Sequence, residues 1–403
     1  MLFSTALLAL LPAVLAAPAP LIQPHDPSAK LIPGKYIVKF KDDSSDVLIS
    51  KALGGRKPDY LYKSKGFKGF AGALDAASLD KIRGLPELVS KRYLITQANA
   101  PWNLARISSH TLGSTVYRYD NSSGFGTCSY VIDTGVQVTH PLKQFAGNAA
   151  WGTNTAGDGI NTDSNGHGTA LAGVIGAQIY GVAKKSKIVA VKVLGASGSG
   201  TTYVPPFFPP PPLLLSCLTL CRSGVIAGMN WVIQDKATRG CPKGVSANIA
   251  LGGSFSAAMN NAVAAMVSNN VFVAVAAGGS NTNAGNTSPA SAPQACTAAA
   301  STASDARASS SNYGAVIDIF APGERILTAW INGGTNTLSG TSFAAAHITG
   351  LGSYLFGLPN ASQTGANMCA YIQSIATVGV LTGVPAGTVN LLAYNGWDLF
   401  TFP

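Results

Sequence analysis

The order of apolar and polar positions divides the chain into two stretches of different character. Residues 35–40, Lys-Tyr-Ile-Val-Lys-Phe, alternate as a half-buried strand does, 76–85 read as a short helix, and 88–93 as a second strand. Together they predict a small, Lys-rich α+β unit spanning about residues 33–93. From about residue 100, Gly, Ser, Ala and Asn dominate and apolar runs alternate with helical periodicity. Strands are predicted at 129–133, 187–194, 247–251 and 271–276. Helices are predicted at 167–176, 225–236, 259–268 and 342–355. This alternation predicts an α/β fold with a mainly parallel sheet and helices on both faces. Sites in such sheets lie at the carboxyl ends of the strands.

Composition adds scale and compartment. The chain has 403 residues, 47% hydrophobic and 11% charged, with 45 Gly, which suits a presegment and one large, turn-rich domain. Residues 6–15 are apolar and lead into Ala16-Ala17-Pro18, the pattern of a signal peptide over 1–17. The run is too short for a spanning helix of about 20 residues. Secretion to the extracellular space is therefore expected, with no membrane partner, and it permits disulfides. The net charge is +10, but the densest basic cluster is only Lys184-Lys185-Ser-Lys187. That cluster reads as a solvated face, and no nucleic-acid partner is expected. Asn121, Asn286 and Asn360 head glycosylation sequons, with Pro289 just beyond the second.

Three segments carry chemistry: Asp133-Thr-Gly, Asn165-Gly-His167-Gly-Thr and Gly340-Thr-Ser342-Phe-Ala-Ala. Singly they read as a turn, a structural histidine and a helix cap. Together, with Asp133 at a predicted strand end and the other two at helix starts, they can converge. A serine hydroxyl needs a base within reach, and that base needs an orienting group. His167 supplies the base for Ser342, and Asp133 orients and stabilises the imidazolium. The order Asp, His, Ser is that of a subtilisin-type triad.

Further motifs extend the likeness: Ala100-Pro-Trp-Asn-Leu-Ala-Arg-Ile-Ser-Ser, Tyr180-Gly-Val-Ala-Lys-Lys, Ala227-Gly-Met-Asn-Trp, Cys241-Pro-Lys-Gly, Ser288-Pro-Ala-Ser and Gly387-Thr-Val-Asn-Leu-Leu-Ala-Tyr-Asn. Over residues 95–396 the chain resembles a fungal proteinase K-type subtilase, and 33–93 resemble the family's inhibitor-type propeptide. The resemblance implies a propeptide over 18–97, cleaved near 94–98, and a peptidase domain over 98–403. It implies a monomeric serine endopeptidase that acts on proteins and peptides through an acyl-enzyme and is inhibited by its own propeptide until processed. Ser197-Gly198-Ser199-Gly200 and Ala250-Leu251-Gly252-Gly253 resemble the two edge strands between which a peptide is added. Four cysteines allow three pairings; the resemblance implies Cys128–Cys241 and Cys296–Cys369. It also implies a structural Ca²⁺ held by the Pro293 and Ala295 carbonyls and the Asp318 carboxylate, and no cofactor for catalysis.

One position departs from the family. An oxyanion-hole asparagine is expected after Ala-Ala-Gly, and Gly279 stands there. Loss of one such donor slows turnover by about 10²–10³, so a slowed enzyme is expected. A non-catalytic or misfolded homologue is the competing reading.

Residues 203–222 interrupt the family pattern with a Pro/Leu-rich insert that carries Cys217 and Cys221. A proline-rich recognition segment, a membrane-touching loop and a translated intron compete as readings. Its Pro, Phe, Leu and Ser codons are pyrimidine-rich, as before a splice acceptor, and twenty codons preserve the reading frame. These points favour the retained intron.

Overall fold

A computed structural model describes residues 34–40, 44–64, 67–83, 94–141, 144–145, 147–198, 216–359 and 361–400, with the backbone alone at 216–221 and 400. The signal segment, the strand expected at 88–93, Ser199, Gly200, Asn360 and most of the 203–222 insert lie outside these residues. The chain forms two compact units, Met1–Lys91 and Arg92–Pro403.

In the first unit the elements are β1 (Lys35–Phe40), α1 (Asp46–Leu53), β2 (Tyr60–Ser64), β3 (Phe67–Ala73) and α2 (Ala76–Arg83). The strands form an antiparallel sheet in the order β1-β3-β2. The alternation read in 35–40 buries Val38 and Phe40, which pack with Ile49, Phe70, Leu79 and Ile82. Ser45 caps α1 by accepting from the Leu48 amide.

The second unit opens with β4 (Leu94–Gln97), α3 (Trp102–Arg106), β5 (Tyr117–Asp120), β6 (Thr127–Asp133) and β7 (Ala149–Asn154). It continues with α4 (His167–Gly176), β8 (Lys187–Lys192), α5 (Ser216–Asp235), β9 (Gly244–Ile249) and β10 (Gly253–Ser254). Next come α6 (Ala257–Ser268), β11 (Phe272–Ala276), β12 (Thr287–Ser288), β13 (Cys296–Ser301) and β14 (Ile319–Pro322). The chain closes with β15 (Ile326–Ala329), β16 (Thr335–Leu338), α7 (Thr341–Gly357), α8 (Met368–Ile375), β17 (Thr377–Val378) and β18 (Leu391–Leu392).

Nine strands form the main sheet in the order β17-β18-β14-β13-β11-β9-β6-β8-β7. Its pairs are parallel except β17 with β18. The α/β architecture is as expected. β6 lies between β8 and β9, third from the β7 edge, and all seven of its residues are buried. β4 pairs with β5, so residues 94–97 belong to this unit. α5 begins at Ser216, upstream of the expected start at 225.

α7 runs along the sheet through small polar contacts. Ser353 Oγ meets Ser129 Oγ of β6 at 2.7 Å and donates to Ser246 Oγ of β9 at 3.0 Å. Small hydroxyls allow close approach and satisfy one another when buried. Asn103 and His347 tie α3 to α7: His347 Nδ1–H donates to the Phe343 carbonyl at 2.8 Å, so Nε2 accepts from Asn103 Nδ2 at 2.8 Å. Burial pulls the His347 pKa down to about 4. Arg106 forks onto Asp305 at 2.8 and 2.9 Å. Both partners are buried, so each satisfies a charge that would otherwise be costly.

One surface expectation changes. Lys184 is buried, its ammonium donating to the Ile179 and Gly181 carbonyls at 3.2 and 2.9 Å and lying over the rings of Tyr117 and Tyr119. Desolvation lowers its pKa to about 7. Only Lys185 and Lys187 of that cluster are exposed.

Candidate active site

Asp133 ends β6, where the sheet delivers it fully buried. Its Oδ1 accepts from the Thr134 amide and from His167 Nδ1, both at 2.8 Å. A carboxylate only accepts, so the imidazole carries its proton on Nδ1 and leaves Nε2 with a lone pair. Asp133 Oδ2 is buried without a hydrogen-bond partner among the described residues.

His167 opens α4. Gly168 beside it is required sterically, because a Cβ there would fall 2.0 Å from the Gly135 carbonyl oxygen. Gly166, at φ 105°, turns the chain into the helix against the Trp330 indole. The element that fixes this junction is Asp163, which the sequence reading did not single out. Its buried carboxylate accepts from the amides of Asn165, Gly166 and Thr169 at 3.0, 2.8 and 2.9 Å. It also accepts from the hydroxyls of Thr134 and Thr169 at 2.9 and 2.6 Å. A carboxylate at a helix start satisfies orphan amides and favours the helix dipole. An Asp shortly before an apolar helical run is a start signal that sequence alone carries.

Ser342 is the second residue of α7. Its Oγ donates to the Ala250 carbonyl at 3.4 Å, and among the described residues no hydrogen bond joins it to His167. Such contacts are often long without a bound substrate. Phe343, next in the chain, meets the His167 ring edge-on with centroids 6.2 Å apart. Asp133, His167 and the start of α7 thus share one end of the sheet.

Gly279 follows β11. The preceding Gly278 amide donates to Thr341 Oγ1 at 3.0 Å, which ties this loop to the residue before Ser342. Asn312 clamps the loop, giving Nδ2–H to the Ala277 carbonyl at 2.9 Å and accepting from the Ser280 and Thr282 amides at 3.0 Å each. Gly279 itself is exposed, and a Cβ added there meets no atom within 4 Å. Beside His167 lies a cleft of about 540 Å³, lined by Gly198, Ala250, Leu251, Gly252 and Gly253 among others. Of the expected edge strands, Ser197 and Gly198 lie in a turn and Ala250, Leu251 and Gly252 in a loop, with strand beginning only at Gly253.

Disulfides join Cys128 to Cys241 and Cys296 to Cys369. Asp318 lies within 4.8 Å of both sulfurs of the second pair. Sulfurs in a disulfide are not thiolate ligands, which leaves only oxygen donors at that place. Asp318 Oδ2 accepts from the Thr297 amide at 2.8 Å, and burial raises its pKa to about 6. Of the sequon asparagines, Asn286 is exposed and Asn121 is half-buried, its Oδ1 accepting from Lys185 Nζ at 3.0 Å.

The profile of the Subtilase family matches residues 128–204 and 225–387. The chain is 47% identical to a cuticle-degrading protease of Metarhizium anisopliae, with 97% of this chain and 99% of the relative covered. It is 44% identical to Proteinase R of Parengyodontium album, covering 94% and 93%. The crystal structure of a cold adapted subtilisin-like serine proteinase superposes with a TM-score of 0.64 at 39% identity, covering 74% of this chain and 99% of that one.

The charge of Asp133 raises the His167 pKa above the ordinary 6.5; burial opposes this, and the Asp133 hydrogen bond adds to it. His167 should therefore titrate with a midpoint above 6.5 by NMR. Asp133→Asn removes the leading cause and should move the midpoint down. An unmoved midpoint would show that the field has another source.

Proposed function

The chain belongs to the subtilase family and is a serine peptidase of the proteinase K type, and from that premise we propose that it is a secreted endopeptidase made as a preproenzyme. The observation that carries this reading is the 2.8 Å bond from His167 Nδ1 to the buried carboxylate of Asp133, at the start of a helix packed against α7. In this reading His167 Nε2 takes the Ser342 proton as Oγ attacks a peptide carbonyl. The C–N bond then breaks as the same imidazole returns the proton to the leaving amine, and water releases the acyl group by the reverse roles. The Ser342 amide, near the amino end of α7, remains to stabilise the oxyanion. Gly279 offers no side-chain donor, so the enzyme is slow rather than inert.

The segment from residue 18 to about residue 93 acts as a propeptide that assists folding and inhibits the peptidase until it is removed, a shorter span than the 18–97 expected from the resemblance. The pairing of β4 with β5 favours a cut at the amino-terminal side of Leu94–Gln97, because a cut behind that strand would sever it from its sheet. No helix of the described residues is long and apolar enough to cross a membrane. In this reading the processed enzyme is released into the medium as a monomer. Asp318, with the Pro293 and Ala295 carbonyls, fits a hard cation such as Ca²⁺: its carboxylate is largely desolvated and has no cationic side chain beside it among the described residues. A bound ion there would brace the loop before β13 against β14.

A fluorophosphonate probe applied to culture medium should label this protein and spare Ser342→Ala. Sequencing of the labelled species should place its first residue close to Leu94. Absence of label on soluble, processed protein would instead favour a non-catalytic homologue. Gly279→Asn should raise kcat by about 10², since the added side chain has room; unchanged turnover with a fixed peptide would refute the account of the oxyanion site. Chelation should lower the Tm by about 5–10 °C, with recovery on adding Ca²⁺. A Tm indifferent to chelator would remove the ion from the scheme.

A further inference from the structure

The cleft beside His167 has apolar walls in Leu194, Val225, Leu251 and Met259. Among its described lining residues Arg222 alone bears a permanent charge, and none is Asp or Glu. Arg222 is the last residue of the segment that interrupts the family pattern, and its backbone lies within α5, so a regular helix presents it. Nη2 donates to the Ser254 carbonyl at 2.9 Å and to Ser254 Oγ at 2.8 Å. A Cβ placed on Gly253 would come within 3.9 Å of Nη2, so the guanidinium lies against β10.

Both acceptors are neutral, and among the described residues Arg222 forms no ion pair. A guanidinium has five N–H donors in a planar fork, more than these two bonds require. The Ala250–Gly253 segment runs into β10, so a peptide laid along it passes the guanidinium. A carboxylate arriving there meets a positioned cation and forms a charge-assisted bond, although the guanidinium's contacts with Ser254 are open to solvent. Residues 94–403 carry 13 Lys and Arg against 9 Asp and Glu, a net charge of +4 that favours acidic chains only weakly.

We propose that Arg222 is a specificity-determining residue that recognises an acidic side chain of the peptide substrate. The proposal rests on the peptidase reading and on the mature protein keeping residues 203–222, and names its substrate class: peptides with Asp or Glu at one fixed distance from the scissile bond.

The test is a set of fluorescent peptides in which Asp is compared with Asn at each position in turn. Binding to the Ser342→Ala protein is read by anisotropy, and turnover by the unaltered protein is read as kcat/KM. At one position Asp should be favoured over Asn by about tenfold, and the preference should weaken as salt rises. It should vanish in Arg222→Ala and survive in part in Arg222→Lys. In Arg222→Glu it should pass to Lys at the same position, a reversal that a misfolded variant cannot show. Equal use of Asp and Asn everywhere overturns the proposal and assigns Arg222 to bracing α5 against β10. So does a preference that Arg222→Ala retains, and so does peptide mapping in which the secreted protein lacks residues 203–222. Selective binding without turnover refutes the peptidase reading alone, whereas turnover without selectivity refutes only the present proposal.

Discussion

A buried carboxylate that makes no contact with the imidazole holds the site together. Asp163 accepts five hydrogen bonds: from the residues leading into α4, from the helix's first turn, and from the loop that leaves β6. Thr134, one of those donors, also accepts from the Gly168 amide at 2.9 Å. The strand carrying Asp133 and the helix carrying His167 are thereby fastened to one anion. Its net effect is geometric: two residues separated by 34 positions meet at hydrogen-bond distance. Removing that anion would orphan buried amides at a helix start, each costing about 1–3 kcal/mol.

The same economy of polar groups recurs beneath the site. Lys192 ends β8 wholly buried, and its ammonium donates to the Thr134 and Leu194 carbonyls at 3.0 and 2.8 Å while pairing with Asp158 at 3.1 Å. Three donors meet three acceptors, so the cation is tolerable in the interior. It holds the segments that follow Asp133 and Lys192 against each other at the mouth of the sheet. On the opposite flank the serine contacts of α7 let that helix lie close to β6 and β9. Apart from Asp133 Oδ2, precision at the site thus comes from saturated polar groups, and the apolar core supplies bulk stability around them.

Much of this was legible in the sequence, for physical reasons. Strands such as β6 and β11 are β-branched and buried, and helices such as α4 and α7 start at cap-like positions, so pattern located them. β13, Cys-Thr-Ala-Ala-Ala-Ser, was missed because alanine and serine carry little strand signature; it is a strand by virtue of its neighbours β11 and β14. The early start of α5 was hidden because residues 216–222 read as part of the insert. Asp133, His167 and Ser342 announced themselves through local motifs. Asp163 did not, since its function lies in who donates to it. Lys184 misled for a related reason: a lysine in a basic cluster reads as solvated, and only the fold brings two tyrosine rings and two carbonyls around it.

The open space at Gly279 bears on history as well as rate. The surrounding loop is clamped by Asn312 and tied to Thr341, so a side chain at position 279 would be presented without rearranging its neighbours. If position 279 has the proposed role, little around it would have to be rebuilt for a donor to stand there. Asparagine codons stand two base changes from GGT or GGC, with serine or aspartate between them, and three from GGA or GGG, and nothing packed nearby demands a compensating substitution. On the proposed reading of this position, glycine is a readily reversible state, two or three base changes from a side-chain donor.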